Sequence, residues 1–355
     1  MNSLLGPLLG ILCGSIFAVI LQRGRVCFNS AFRDLYLTKD NFMFKGGLLA
    51  VALSAIGFTA LAQFGLIKLA PSVPNWGGII LGGLIFGMGM VLAGGCASGM
   101  TYRIGEGNTV SIAAGLVFGL SAWATSSGLL KPLTKWAAKL DFAAVNADPT
   151  YYNVGSGGKI GPTAATLLNI NPWIPAGVFA ILIFIYLFGT KTTRREGANM
   201  KWWVIGIALT FVNMLTYYLS ARYANRQYGL SITSGWTNLL QAFTLSQNGA
   251  DKPPVVNFAG GIVLGVIIGA FLAAIVTKEF KWRVPKQGKY YAIAVVGGLM
   301  AGFGAAFARG CNIGHFLTGA SFVSVGDTLA TIMFILGNWF MTRILFGKPD
   351  PNIEA

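Results

Sequence analysis

The sequence predicts an all-α polytopic membrane protein with about nine transmembrane helices, short re-entrant helices and an inverted internal repeat. Three observations lead there. Hydrophobic residues fill 54% of the 355 positions and charged residues only 10%, where an ordinary soluble domain carries about 25% charged residues. Uninterrupted apolar runs recur about nine times, most of them near the length that crosses about 30 Å of hydrocarbon as a helix. Two glycine-flanked cysteine motifs, "GMGMVLAGGCASGM" at 87–100 and "GFGAAFARGCNIGH" at 302–315, mark two copies of one unit.

The spans fall near 4–21, 46–67, 77–94, 109–130, 174–189, 202–220, 256–277, 290–308 and 325–346, of which 174–189 is short. Most of the 48 glycines lie inside or beside such runs, where small residues let membrane helices approach closely. The first run, "MNSLLGPLLGILCGSIFAVILQ", lacks the basic n-region of a secretory signal and reads as a mature helix. Residues 131–171, with Gly, Pro, Asn and the amphipathic "KPLTKWAAKLDF", read as an outer loop resting on the membrane surface.

The net charge of +15 follows largely from loop composition. When the loops are assigned to alternating sides, about two thirds of the 26 Lys and Arg share one side, with Lys278, Lys281, Arg283, Lys286 and Lys289 weighing most. The positive-inside tendency then places the C-terminus in the cytoplasm and the N-terminus outside. A basic balance of this origin does not point to nucleic acid, and membrane lipid is the expected surrounding partner.

The two motifs share Gly87/Gly302, Gly89/Gly304, Ala93/Ala308, Gly95/Gly310, Cys96/Cys311 and Gly99/Gly314 at one constant offset. Upstream, "QRGRVCFNSAF" at 22–32 and "QYGLSITSGW" at 227–236 align Gln22 with Gln227 and Gly24 with Gly229, and set Cys27 against Ile232. The predicted organisation is a first four-span repeat over 1–130, an outer loop and linking helix over 131–200, a second four-span repeat over 201–346 and a cytoplasmic tail over 347–355. A four-span unit ends on the side where it began. One added span between the copies therefore inverts the second, an arrangement that sets substrate sites near the midplane, often where helices break.

Three breaks carry a cysteine each: Cys27 in "RGRVCFNSAFRD", Cys96 in "GGCASG" and Cys311 in "RGCNIG". Non-helical backbone at membrane depth is tolerated only where it is buried in protein or lines a wet cavity, so the breaks suggest a path. A short helix starting at such a break aims free N–H groups and its positive dipole end at an anion. Arg25, Arg103 and Arg309 near the cysteines either add to that field or snorkel to headgroups. A thiol is soft and polarizable with a weak S–H donor, which suits a sulfur-containing anion better than phosphate or chloride. The bland alternative is that cysteine packs as a small hydrophobe; it is the natural reading for Cys13, in the middle of the first span.

Other chemistries find less in the chain. No C-x-x-C occurs, and the cysteines lack the spacing of a disulfide framework. Cys311 and His315, four apart, with Met88, Met90 and Met100, would offer a soft-metal site, but there is a single histidine. No nucleotide-binding loop appears, and neither cofactor nor metal is expected. Glu106 and Asp327 stand just before the fourth and ninth spans, where capping or first-turn roles are the plain account and proton coupling the alternative.

The motifs "GRVCFNSAFRD" at 24–34, "GGCASGMTYRIGEGN" at 94–108 and "GCNIGHFLTG" at 310–319 resemble those of the YeeE/YedE sulphur-transport family, over essentially the whole chain. The resemblance implies a transporter and not an enzyme, one that takes thiosulfate from the periplasm through a narrow, largely preformed passage. The anion would be relayed by Cys311 near the outer mouth, Cys96 near the middle and Cys27 near the inner mouth. Residues of the same motifs, Gly24, Asn29, Gly94, Gly95, Ser98, Gly310, Asn312 and His315, would support them. It also implies a cytoplasmic partner, a small TusA-like sulfur-carrier protein of the TsuB or YeeD type. Other branches are linked to selenium, so a selenium or other reduced sulfur oxyanion is the second reading. A membrane sulfurtransferase using a cysteine persulfide is the third.

Overall fold

The computed structural model describes residues 4–138, 144–154, 159–193, 199–243 and 256–347. The tail expected at 347–355 lies outside them apart from Gly347, as do stretches of the outer loop. Helices dominate. Among the described residues eight are long and apolar enough to cross a membrane, and a ninth apolar helix, Trp173–Gly189, has 17 residues. At 1.5 Å per residue that ninth helix is about 26 Å long, which is within reach of the hydrocarbon core.

In order, the chain runs through α1 (Leu5–Gly24), the short α2 (Phe28–Leu37), α3 (Phe42–Gln63), a π-helical turn Gly78–Gly82 leading into α4 (Gly83–Leu92), the short α5 (Ala97–Gly105) and α6 (Thr109–Ser126). A connecting region holds α7 (Lys131–Ala138), a two-residue antiparallel ladder of Val145–Asn146 with Lys159–Ile160, α8 (Ala164–Leu168) and α9 (Trp173–Gly189). The second half repeats the first: α10 (Trp202–Tyr223), the short α11 (Thr233–Phe243), α12 (Phe258–Val276), α13 (Lys289–Phe307), a short π and 3-10 segment over Ile313–Gly319 and Ala320–Phe322, and α14 (Val325–Phe346). Each half thus contains two short helices between long ones. The fourth, α11, follows Ile232, the residue that faces Cys27 in the repeat.

Packing follows the same exchange. α1 lies along α12 as α3 lies along α10, and α6 along α13 as α14 along α4. α5 rests on α12 as the Ile313–Phe322 segment rests on α3, while α4 meets α13 and α1 meets α10. Swapping the halves maps this list onto itself. Small residues allow it: a Cβ on Gly14 would stand 2.1 Å from the Ile262 carbonyl oxygen, and one on Gly302 would stand 2.3 Å from that of Phe118. Backbones in such contact exclude lipid and replace it with dense dispersion contact.

Two spans depart from their predicted bounds by four residues: the one expected over 109–130 ends at Ser126, and the one expected over 46–67 is shifted toward the N-terminus. The run expected from residue 46 begins at Phe42, and the helix takes in Lys45, which is fully buried and not a loop cation. Its Nζ donates to the carbonyl oxygens of Leu187 (3.2 Å) and Thr190 (2.6 Å) and to Thr192 Oγ1 (2.9 Å). The ammonium therefore caps the orphan carbonyls at the end of α9 and meets the negative end of its dipole. Lys45→Met should leave those acceptors unpaired and cost about 2 kcal/mol, read as a fall of several degrees in the melting midpoint of detergent-solubilised protein.

Candidate functional site

The three cysteine-bearing breaks are built alike. In each, the helix ends on a left-handed residue two positions before the cysteine: Arg25 (φ 50°), Gly94 (φ 70°) and Arg309 (φ 66°). Two reversed hydrogen bonds close each end: Arg25 N–H to Gln22 O with Val26 N–H to Leu21 O, Gly94 to Val91 with Gly95 to Met90, and Arg309 to Ala306 with Gly310 to Ala305. This is the Schellman stop. Each cysteine then opens the next short helix, its carbonyl accepting from the N–H of Ala31, Met100 or His315. Nothing approaches within 4 Å of a Cβ built on Gly94, so glycine is favoured there by conformation and not by space. At the other two stops arginine bears the strain, and its side chain is held from outside the turn.

The fold brings two of the three thiols together. Cys27 Sγ lies 3.9 Å from Cys96 Sγ, although the residues are 69 apart in sequence. Cys96 Sγ also accepts from Gly99 N–H at 3.3 Å, as N-cap of α5, and lies 3.4 Å from Ser98 Oγ. A Cβ on Gly99 would stand 2.7 Å from Cys27 Sγ, so the glycine makes room for the pair. Both sulfurs are buried. Cys311 is also buried but has no thiol partner among the described residues. The geometry is one sulfur pair and one separate thiol.

The Cys311 break is nonetheless coupled to the others. Asn312 Nδ2 donates to Met90 Sδ at 3.7 Å on α4, the helix that leads into Cys96. Phe316, in the π segment after Cys311, packs edge-on against Phe28 beside Cys27, with ring centroids 5.2 Å apart. Asn29 Oδ1 accepts from Asn338 Nδ2 at 2.7 Å, tying α2 to α14. Trp236 Nε1 donates to Thr101 Oγ1 at 2.9 Å, tying α11 to α5. Phe28, Phe316 and Trp236 are not among the sequence candidates, and Met90 is named there only as a soft-metal ligand. Phe28 and Trp236 lie within the two aligned upstream motifs, 22–32 and 227–236, which is their only signal.

The arginines and His315 take positions the sequence left open. Arg25 forms ion pairs with Glu106 (3.2 Å) and Glu279 (2.8 Å), and Arg283 reaches Glu106 at 3.5 Å. Its charge is thus matched by carboxylates and is not presented alone to an anion. Arg103 Nη1 donates to Gly94 O at 2.6 Å, across the α4 stop, and Arg309 Nη1 to Val73 O at 3.1 Å. His315 Nδ1 lies 2.6 Å from Asp327 Oδ1 and Nε2 lies 3.0 Å from Ala308 O. Both ring nitrogens are engaged, and a Cβ on Gly310 would meet the ring at 2.7 Å. His315 is therefore unavailable to a metal beside Cys311, and it braces the third stop. Asp327 sits in the first turn of α14, whose N-cap is Ser324. Glu106, by contrast, follows α5 and serves the ion-pair cluster.

A profile of the family described as "Sulphur transport" matches residues 23–340. The chain belongs to the sulphur-transport family. It is 45% identical to "Thiosulfate transporter TsuA" of Spirochaeta thermophila over 339 residues, covering 96% of this chain and 99% of that protein. It is 32% identical to "Thiosulfate transporter TsuA" of Escherichia coli over 353 residues, covering 96% and 95%. "Probable transporter YedE" of Escherichia coli matches at 42% over 100 residues, 28% of this chain and 24% of that one. Membership of the sulphur-transport family and the multi-pass helical fold agree with a transporter, not an enzyme. The family match spans all three cysteine stops.

Proposed function

We propose that the protein imports thiosulfate across the bacterial inner membrane, with its N-terminus periplasmic and its C-terminus cytoplasmic. The observation that carries the reading is the buried Cys27–Cys96 sulfur pair at 3.9 Å, set at the start of two short helices. Full-length similarity to proteins named thiosulfate transporters supports it. We read the two halves as inverted copies with their four short helices around one central route; the matching element order of the halves supports this reading.

Thiosulfate is a dianion with oxygens at one end and a soft terminal sulfur. Entering past Cys311, it exchanges water for the weak S–H donor there and for N–H groups of the break. At the pair, the anion takes the place of the contact between the two thiols, so that each S–H turns to the anion. Weak, repeated donors suit passage, because a site must hold an ion well enough to admit it and loosely enough to release it. Gly99 and the extended residues Cys27 and Cys96 give the sulfurs this freedom to part. On the cytoplasmic side a small TusA-like sulfur-carrier protein of the TsuB or YeeD type receives the cargo.

Growth tests the substrate. Cells without other thiosulfate uptake should grow on thiosulfate as sole sulfur source only when they carry this chain, and a tenfold excess of sulfate should not compete in labelled uptake. Growth unaffected by its removal overturns the reading. Saturable uptake of labelled selenite with no uptake of labelled thiosulfate would move the substrate to selenium.

A further inference from the structure

An open cavity of about 500 Å³ lies where α4 ends and α6 and α13 begin, closed on one side by the connection that follows α12. Two guanidinium groups, Arg103 and Arg283, supply its charge, and Val284, Tyr290 and Ile293 supply an apolar wall. Arg103 spends a hydrogen bond on Gly94 O, and Arg283 reaches Glu106 only at 3.5 Å. Each guanidinium has five N–H donors, so donors remain on both for a ligand. Glu106 is shared between Arg25 and Arg283 and Glu279 pairs with Arg25, while Lys281 and Lys286 lie in the same connection and Lys289 opens α13, leaving this face with an excess of cations.

The level of the cavity in the membrane can be read from its rim. Trp282 is 68% exposed and Tyr290 49% exposed, residue types that collect at the boundary between headgroups and hydrocarbon. Lys289 Nζ stands 5.5 Å over the Tyr290 ring. Below that rim Ile293, Val296 and Leu299 are exposed along one outer strip of α13. A charged, roomy site therefore opens at headgroup level directly above a lipid-facing apolar strip.

We infer that this cavity binds the headgroup of an anionic phospholipid, its phosphate on Arg103 and Arg283 and its acyl chains along the α13 strip. A bare oxyanion would leave most of the volume and the apolar wall unused. A choline or ethanolamine headgroup would bring its ammonium against the two arginines and the lysine-rich connection, where no acid is left to meet it. Basic pockets between membrane helices favour anionic headgroups for this reason. Arg103 belongs to α5, the helix that Cys96 opens, and it also holds the Gly94 stop. A bound lipid therefore braces the backbone that sets Cys96.

The test needs no transport. Purified protein in detergent is titrated with phosphatidylglycerol or with phosphatidylcholine of the same acyl chains, and retained lipid is counted by native mass spectrometry. Phosphatidylglycerol should be retained and phosphatidylcholine lost. Arg283→Gln should weaken retention about fivefold, the value of one basic side chain near a headgroup. Ile293→Trp, which fills the cavity without changing charge, should weaken it as well. Millimolar inorganic phosphate or thiosulfate should not displace the lipid. Equal retention of the two lipids, or retention unchanged in both variants, overturns the inference, as does displacement by phosphate, which would make this a site for a free oxyanion. None of these outcomes depends on thiosulfate being the transported substrate.

Discussion

Cys96→Ala is expected to lower thiosulfate uptake by at least about tenfold, equivalent to about 1.4 kcal/mol in the barrier to passage, while the protein still folds and inserts. The alanine removes the sulfur that meets Cys27 and that accepts Gly99 N–H as the cap of α5. Cys96→Ser separates those two losses. Serine is a better N-cap than alanine, so stability should be kept, yet its oxygen is small, hard and poorly placed to reach Cys27. Uptake should stay low in Cys96→Ser if a soft sulfur at this position carries the anion. Uptake restored by serine would mean that only the cap matters.

Gly99→Ala should be nearly as damaging without touching either thiol. The added methyl would stand 2.7 Å from Cys27 Sγ and 3.3 Å from Cys96 Sγ. Overpacking of this kind typically costs about 1–3 kcal/mol, and the relief available is to push the sulfurs aside. The expected result is a several-fold loss of uptake with a modest fall in melting midpoint. Gly177→Ala, where nothing lies within 4 Å of the new methyl on α9, is the matched control and should transport normally. Normal uptake by Gly99→Ala would show that the close sulfur contact is not needed.

Much of the fold was legible because membranes impose one-dimensional rules. Lengths of apolar runs give spans, and seven of the nine predicted runs agree with the helices to within about three residues at each end. The motif shared by Cys96 and Cys311 is also local: a left-handed stop, a small residue and an N-terminal cysteine lie within a few positions of one another. Arg309 occupies the left-handed place that Gly94 fills in the other copy, which shows that the backbone pattern, not glycine itself, is what the repeat preserves.

What stayed hidden depends on partners far along the chain. The Cys27–Cys96 contact spans 69 residues, and Arg25 finds its acids 81 and 254 residues away. A charge next to an apolar run reads as a loop end, yet Lys45 is drawn inside because the end of α9 offers carbonyls that only the fold brings near. Nothing near His315 in the sequence shows that Asp327 and Ala308 O take both of its nitrogens. In each case hydropathy and spacing describe the residue's own segment, and the deciding energy comes from another.

The most direct test of the central claim is flux through the purified protein. Liposomes containing this chain alone, given sulfur-labelled thiosulfate outside, should accumulate label faster than empty liposomes, and liposomes carrying Cys96→Ala should fall close to the empty ones. Equal accumulation with and without the protein, or full activity in Cys96→Ala, would contradict passage of thiosulfate by way of the buried sulfur pair.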